Sequence, residues 1–399
     1  MGRIDQQNPS YWIGSTRATD YPRPSAGVSV DVAVIGGGIT GLTTAFLAAQ
    51  AGLAVAVIEY NRLASGTTGY TTAKVTSQHR LQYASLIERN GEQRARMYAE
   101  AQQAAMRWIA NVVDERGIAC DFRRLPAYVY TEQEEKIGEL RAELAAAESL
   151  GLPAGWRDET PLPFEVAGSV RFDDQAIFHP RKYCLGLADA ITSLGGRIFE
   201  RTRATNVEDG DPCRIETEEG DVRARHVVIA TGLPFPADGA YFARAKPSRS
   251  YAIAAPGPDL DGMFISAESP TRSVRPHESG DERMLVFSGE EHPVGQEPDT
   301  EMRYKALEDF ARERFGVGRV GYRWSAQDYI PADGIPYVGF MTDDTPHVFV
   351  ATGFLKWGMT NGTAAAMMIA DAIAGRENPW AKAFDSTRIR PAQSARKVA

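Results

Sequence analysis

The sequence predicts an α/β protein of two domains, a Rossmann-type domain assembled from separated stretches of chain and a β-sheet-rich domain built from the stretches between them. Three observations predict this. An apolar strand, a glycine-rich turn and a helix-like run follow one another from Asp31 to Gln50. An acid, Glu59, closes the next apolar strand. Two further glycine turns, Ala230-Thr231-Gly232 and Ala351-Thr352-Gly353, end apolar strands far down the chain, so later segments return to the first domain.

In chain order, residues 1–27 read as an irregular surface arm, marked by Asn8-Pro9 and Tyr21-Pro22-Arg23-Pro24. Asp31–Ile35 reads as a buried parallel strand, Gly41–Gln50 as a helix and Ala54–Glu59 as the next strand. From about Gln82 to Val113, Ala95, Tyr98, Ala99, Gln102, Met106, Ile109 and Val113 recur on one helical face. A short strand at Ala127–Thr131 and an amphipathic helix over 132–150 follow, and Pro161-Leu162-Pro163 marks a boundary. Residues 181–193 read as helix. Strands are expected at Arg197–Glu200, Thr205–Glu208, Arg214–Thr217 and His226–Ala230. β-type segments run to about residue 295, then a helix over Glu301–Phe315, a strand at Val348–Ala351 and a helix at about Thr360–Ala374.

Composition sets the outer bounds. With 399 residues, 43% hydrophobic and 24% charged, the chain is long enough for two cores. A formal net charge of −8 argues against nucleic acid, which needs a basic face. Cys120, Cys184 and Cys213 are odd in number and lack metal-ligand spacing, so reduced thiols, a cytoplasmic location and no metal are expected. Met1 to Gly14 lacks the apolar core of a signal peptide. Val28 to Ile58 is too broken by glycines and by its change of periodicity to be a membrane span, so no membrane partner is expected. Oligomeric state is left open.

Gly36-Gly37-Gly38-Ile39-Thr40-Gly41 fits the pattern G-x-G-x-x-G between a strand and a helix, and Glu59 stands about 20 residues on, the spacing of a dinucleotide site. Gly36 permits the tight turn, Gly38 lets the backbone approach a pyrophosphate at the helix N-terminus, and Gly41 lets helix and strand pack closely. Glu59 can accept both hydroxyl hydrogens of an adenosine ribose. The later block Asp333-Gly334-Ile335-Pro336-Tyr337-Val338-Gly339, with a helix starting near Gly358, can turn N-terminal amides toward the electron-rich edge of a flavin.

These residues resemble the D-amino-acid oxidase-like superfamily of FAD oxidoreductases, which includes glycine and sarcosine oxidases. The blocks that carry the resemblance are Gly36–Gly41 with Glu59, Gly66-Thr67-Thr68-Gly69, and Asp333–Gly339 with Ala351–Thr363. Within it, the run Gly69 to His79, the run Gly353 to Gly362 and Trp324–Asp328 look like a bacterial subgroup that usually carries a C-terminal Rieske [2Fe-2S] domain. This chain has no Cys-x-His pair, so it is expected to hold no cluster of its own and to pass electrons to oxygen, another carrier or a separate iron–sulfur protein. The resemblance implies a discontinuous FAD domain of 28–115, 165–235 and 320–390 and a substrate domain of 116–164 and 236–319. It implies FAD contacts from Gly36, Gly38, Ile39, Thr40, Gly41, Glu59, Tyr60 and Arg62. Further contacts are implied from Gly66, Thr67, Thr68, Thr72, Ala73 and Lys74, from Val207, Ala230, Thr231 and Gly232, and from Asp333, Gly334, Gly353, Phe354, Lys356, Trp357, Gly358, Met359 and Thr360. No cysteine lies beyond Cys213, so the FAD is expected to be non-covalent.

The implied activity is oxidation of a small amine or amino-acid-like substrate, with hydride passing from the carbon next to nitrogen to flavin N5. Two other readings stay open: an electron-relay subunit that needs an iron–sulfur partner, and an NAD(P)H-dependent flavin hydroxylase. The candidates for chemistry are Lys74, Asp328, His292, Lys356 and Trp357, each with a plain structural alternative. Thr67 and Thr68 either bond phosphate or cap a helix. Lys74 either faces the flavin or lies along the surface. Lys356 places a cation near the ring, and Trp357 stacks on it or packs in the core. Related amino-acid oxidases bind the substrate carboxylate with an arginine after a tryptophan. Here that place falls near Asp328, which either attracts an ammonium group or pairs with Arg323. His79 and His292 are candidate bases or structural residues. Arg272 and Arg275 either line the cavity or, as the preferred reading, face solvent.

Overall fold

The computed structural model describes residues 9–25, 27–235, 241–295 and 299–388. Runs of Val, Ile and Ala with no polar interruption form strands buried on both faces, as a parallel sheet requires. The second half of strand β1 (Val28–Ile35), from Val32 on, and the whole of β2 (Val55–Ile58) are such runs. In the first sheet β9 (Arg197–Phe199), β2, β1, β12 (Val222–Gly232) and β19 (Val348–Thr352) are parallel neighbours in that order. β18 (Tyr337–Phe340) closes the edge antiparallel, and the hairpin β10 (Ala204–Glu208) and β11 (Cys213–Thr217) joins the start of β12.

The second sheet runs β17 (Tyr322–Pro331), β13 (Ala245–Pro256), β16 (Glu282–Pro293), β15 (Arg272–Ser279), β14 (Met263–Ser266), β5 (Ala127–Thr131), β7 (Gly168–Phe172) and β6 (Ala154–Arg157). A small third sheet, β3 (Lys74–Val75), β8 (Ala176–Ile177) and β4 (Arg123–Arg124), lies beside them. Two strands, β7 and β17, lie within stretches expected in the FAD domain (165–235 and 320–390). β7 and β17 pair with β5 and β13, so both stand in the second sheet.

Helices α2 (Ile39–Gln50), α6 (Pro180–Ser193) and α9 (Gly358–Ile373) pack around the first sheet, α2 against both of the others. The long helix expected from 82 breaks at Gly91, whose φ of 82° is left-handed, into α3 (Tyr83–Asn90) and α4 (Glu92–Arg116). Helix α5 (Ile137–Ser149) lies on β6 and β7, and α8 (Glu301–Phe315) on β13 and β16. Two one-turn helices, α7 (Tyr241–Arg244) and α10 (Ala381–Phe384), border the sheets, with α10 touching β18 and α4. No helix among the described residues is long and apolar enough to cross a membrane.

Among the described residues of the arm most reach the surface, as expected, but one turn does not. Its short helix α1 (Tyr11–Gly14) buries Tyr11 and Trp12, and the Trp12 indole N–H donates to Thr71 O at 2.7 Å. Two aromatic side chains remove enough apolar area from water to outweigh the prolines' preference for exposure. Near the other end, Arg388 forms a buried ion pair with Asp333, 2.8 Å from Nε to Oδ2, and donates to the carbonyls of Pro336, Phe384 and Asp385. Removing one member of such a pair strands a buried charge. Arg388→Met should therefore lower the unfolding free energy by roughly 3–5 kcal/mol, read as a lower urea midpoint. A loss within the error of the wild-type value would contradict this.

Candidate cofactor and active site

The site begins where β1 ends. Gly36 has φ of 115°, and a Cβ on it would stand 2.5 Å from Ala230 O, at the end of β12. A Cβ on Gly41 would overlap Gly36 O, so the turn and the first turn of α2 close only with glycine at both places. The N-cap residue of α2, Gly38, offers no side-chain cap and the first turn has no acid, which leaves N-terminal amides beyond that of Ile39 for an anion. The Ile39 N–H donates to the Thr68 hydroxyl at 3.1 Å, so Thr68 sits at that terminus. Glu59 accepts from Gly37 N and Asn61 N, each at 2.7 Å. Burial raises its pKa, and two carboxylate oxygens with two donors retain lone pairs for further hydroxyls. Tyr60 is exposed at the rim, Arg62 lies 4.0 Å from Asp20, and Val207 is half-buried on β10.

A second helix N-terminus meets the first. Helix α9 starts after Trp357 with no side-chain cap and no acid in its first turn. A Cβ on Gly362 would overlap Thr40 Oγ1, so α9 lies directly against α2. The Thr352 hydroxyl donates to Gly232 O, tying the two glycine turns together. The loop between β19 and α9 holds Leu355 and Lys356 at φ of 53° and 70°, and Ala73 on the facing segment has φ of 58°. Non-glycine residues held left-handed are costly and persist where surrounding contacts fix them.

Those contacts are visible. Asp328 Oδ2 accepts from Lys356 N at 2.5 Å, and Oδ1 from Tyr329 N at 2.8 Å. The carboxylate is enclosed although part of the residue stays accessible, and burial raises its pKa to about 6. Asp328 does not pair with Arg323, which bonds Glu301 and Glu308 instead. Asn361 donates to Phe354 O at 3.1 Å and to the Tyr98 hydroxyl at 3.3 Å, while Gln102 donates to its Oδ1 at 2.8 Å. Trp357 stacks on His79, centroids 4.7 Å apart and planes 14° apart. Both nitrogens of His79 are engaged, with Tyr98 Oη at 2.6 Å and Thr76 O at 2.9 Å, and burial lowers its pKa to about 3. His79 is thus a neutral brace for Trp357. The Lys356 ammonium pairs with Glu291, and the Asp333 carboxylate belongs to Arg388. His292 bonds the Tyr251 hydroxyl at 3.0 Å and Pro293 O at 2.9 Å.

The segment from Gly66 to His79 runs between the two large sheets. Thr67 donates to Gln327 O at 3.4 Å, and the Trp324 indole donates to Tyr70 O at 2.9 Å. Lys74 is buried, against the surface reading, with its ammonium donating to Phe264 O at 3.2 Å and to Ser273. Burial, then the charge of Arg275, lowers its pKa to about 7. Arg275, expected in solvent, is fully buried and spends its donors on the carbonyls of Thr72, Pro276 and Phe178. Pairing in register puts Ser250 beside Ala326, Ala252 beside both Ser288 and Trp324, and Ser273 beside Ser288. Strand alternation therefore gathers Ser250, Ala252, Ser273, Ser288 and Ala326 with Trp324 and Arg275 on one face, the face Lys74 reaches.

Sequence reasoning missed Arg388 and the Tyr98–Gln102–Asn361 brace. A polar Gln102 inside an otherwise apolar helix face was the available signal for the brace.

The model for FAD dependent oxidoreductases (DAO) matches residues 31–372. A putative Rieske 2Fe-2S iron-sulfur protein of Bacillus subtilis is 34% identical over 394 residues, covering 98% of this chain and 77% of that protein. A gamma-glutamylputrescine oxidoreductase of Escherichia coli is 24% identical, covering 93% of this chain and 90% of that protein. Among solved structures, glycine oxidase from Geobacillus kaustophilus superimposes with a TM-score of 0.77 at 21% identity, over 91% of this chain and 99% of that one.

The Asp328 geometry carries a signed pH dependence. Its folded pKa lies above its unfolded value, so the stability it contributes is present below the unfolded pKa and lost as pH rises through about 6. Denaturant unfolding from pH 4 to 7 should show the wild-type protein losing stability relative to Asp328→Asn as pH rises. A difference between the two that stays constant across this range would contradict it.

Proposed function

We propose that this chain, which belongs to the FAD-dependent oxidoreductase family, oxidises a small amine or amino-acid-like substrate at the carbon next to nitrogen, with a preference for amines that lack a carboxylate. The chain is a flavoprotein whose cofactor is FAD. The residues present fit that cofactor. The amides of α2 behind Gly36–Gly41 suit the pyrophosphate, Glu59 the ribose hydroxyls, and the N-terminus of α9 a flavin edge that gains negative charge. Bound FAD supplies a two-electron acceptor that takes a hydride from substrate. Cys120 and Cys184 are buried and Cys213 lies on the β10–β11 hairpin, which supports non-covalent attachment.

The observation that carries the substrate preference is an acid, Asp328, near the end of β17. Amino-acid oxidases of this fold place a carboxylate-binding arginine at a position that falls near Asp328, and an acid there disfavours a carboxylate. Arg275, the guanidinium on the face that Lys74 reaches, has its donors committed to backbone carbonyls. Lys74 is proposed to act on protons. A lysine poised near neutrality beside Ser273 can accept the proton of a substrate ammonium, leaving the amine in its reactive neutral form.

The test is an anaerobic titration of the holoprotein with methylated amines, polyamines and D- and L-amino acids, followed by air. The proposal expects loss of the oxidised flavin band with an amine at concentrations at least tenfold below those of its carboxylated counterpart. Bleaching by amino acids alone would overturn it. The name of the Bacillus subtilis relative, a Rieske protein, favours a second reading of the electron acceptor. If the band recovers in air, the chain is an oxidase. If it stays bleached until an iron–sulfur carrier is added, electrons leave through a protein partner.

A further inference from the structure

We propose a metal site for a zinc-class divalent ion, formed by Asp209, Cys213 and His347 at the edge of the first sheet. One oxygen of Asp209, the sulfur of Cys213 and a ring nitrogen of His347 all lie within 4.8 Å of one another. Asp209 Oδ1 stands 2.8 Å from His347 Nδ1 and 3.7 Å from Cys213 Sγ. Tetrahedral zinc, with bonds of roughly 2.0–2.3 Å, spaces its ligand atoms roughly 3.3–3.8 Å apart, so small side-chain shifts bring the three within bonding reach, with a water as the fourth ligand.

The backbone already holds the three together. Asp209 lies in the turn between β10 and β11, and Cys213 opens β11. His347 immediately precedes β19, and its carbonyl accepts from Val227 N at 2.9 Å. β12 runs on past Val227 to Gly232 before reaching the cofactor turn, so the cluster is separate from the flavin site.

Two polar atoms at the cluster have no partner among the described residues: Asp209 Oδ2, and Nδ1 of His226, whose ring centroid is 6.1 Å from that of His347. A buried polar atom without a partner is costly, and a cation beside it removes that cost. The donor set is selective. Thiolate and imidazole suit zinc, whereas magnesium and calcium take oxygen ligands. One thiolate and one carboxylate also balance a charge of two. Without metal the thiol donates to Gly210 O at 3.3 Å, and burial lifts its pKa to about 11. Binding therefore releases the thiol proton to solvent, and the Nδ1 proton of His347 moves to Nε2. The ion would clamp the β10–β11 hairpin, which carries Val207, to β19, which leads into the Gly353–Trp357 loop.

Spacing along the chain hides this site, since 134 positions separate Cys213 from His347 (347 − 213). The test is zinc titration of chelator-treated holoprotein, with bound metal counted per chain, alongside Cys213→Ser and His347→Gln. Cobalt substitution adds ligand-field bands beyond the flavin absorption. One zinc per wild-type chain, tetrahedral cobalt bands, and affinity at least about a hundredfold weaker in both variants at unchanged flavin content are expected. No zinc retained by the wild-type protein, or equal zinc binding in wild type and both variants, would overturn the proposal.

Discussion

The structure depends on the close approach of two helix N-termini. Helices α2 and α9 come from opposite ends of the chain, yet a Cβ on Gly362 would stand 2.4 Å from Thr40 Oγ1. Neither helix is capped by its own N-cap side chain or carries an acid in its first turn, and only Ile39 N–H of α2 is taken, by the Thr68 hydroxyl. Two such termini at one end of a parallel sheet concentrate positive potential in one place, which suits an anionic pyrophosphate and a ring that becomes anionic on reduction. The glycines at 36, 41 and 362 are what let backbone, rather than side chains, line that place.

Everything around this point braces it. Gln102, Tyr98 and Asn361 reach from α4 and α9 to hold Phe354 O, and Asp328 holds the N–H of the left-handed Lys356. From the other side, Trp12 in the arm and Arg275 in the second sheet bind the carbonyls of Thr71 and Thr72. The segment that includes Ala73 and Lys74 is thus fixed by both domains. The strained backbone of the loop and the buried lysine are maintained by a dense set of hydrogen bonds, and each of these is worth more in a dry site than at the surface.

The parts of this arrangement that were legible in the sequence are those with a short-range signature. The Gly36–Gly41 turn and Glu59 are separated by one strand and one helix, so their spacing betrays them. The strands around Val34 and Val228 are unbroken apolar runs. What was not legible depends on partners far away in the chain. Nothing near Arg275 indicates that it meets Thr72 and Phe178, and two arginines flanking Ser273-Val274 read as a solvent face. Asp328 and Arg323 look like a pair by proximity, yet they sit at odd spacing on one strand and point to opposite sides. The arm reads as irregular because its prolines are local, whereas the groove that takes Tyr11 and Trp12 is made by residues over fifty positions on.

The central claim is that contact between α2 and α9 creates the FAD site, and FAD affinity of Gly362→Ala tests it most directly. The added methyl group must turn the Thr40 hydroxyl aside or push α9 away from it. Titration of the apoprotein with FAD, followed by quenching of flavin fluorescence, should give a Kd at least about tenfold weaker than wild type, with an unchanged far-ultraviolet circular dichroism spectrum. An unaltered Kd in the folded variant would show that the approach of the two helices does not hold the cofactor.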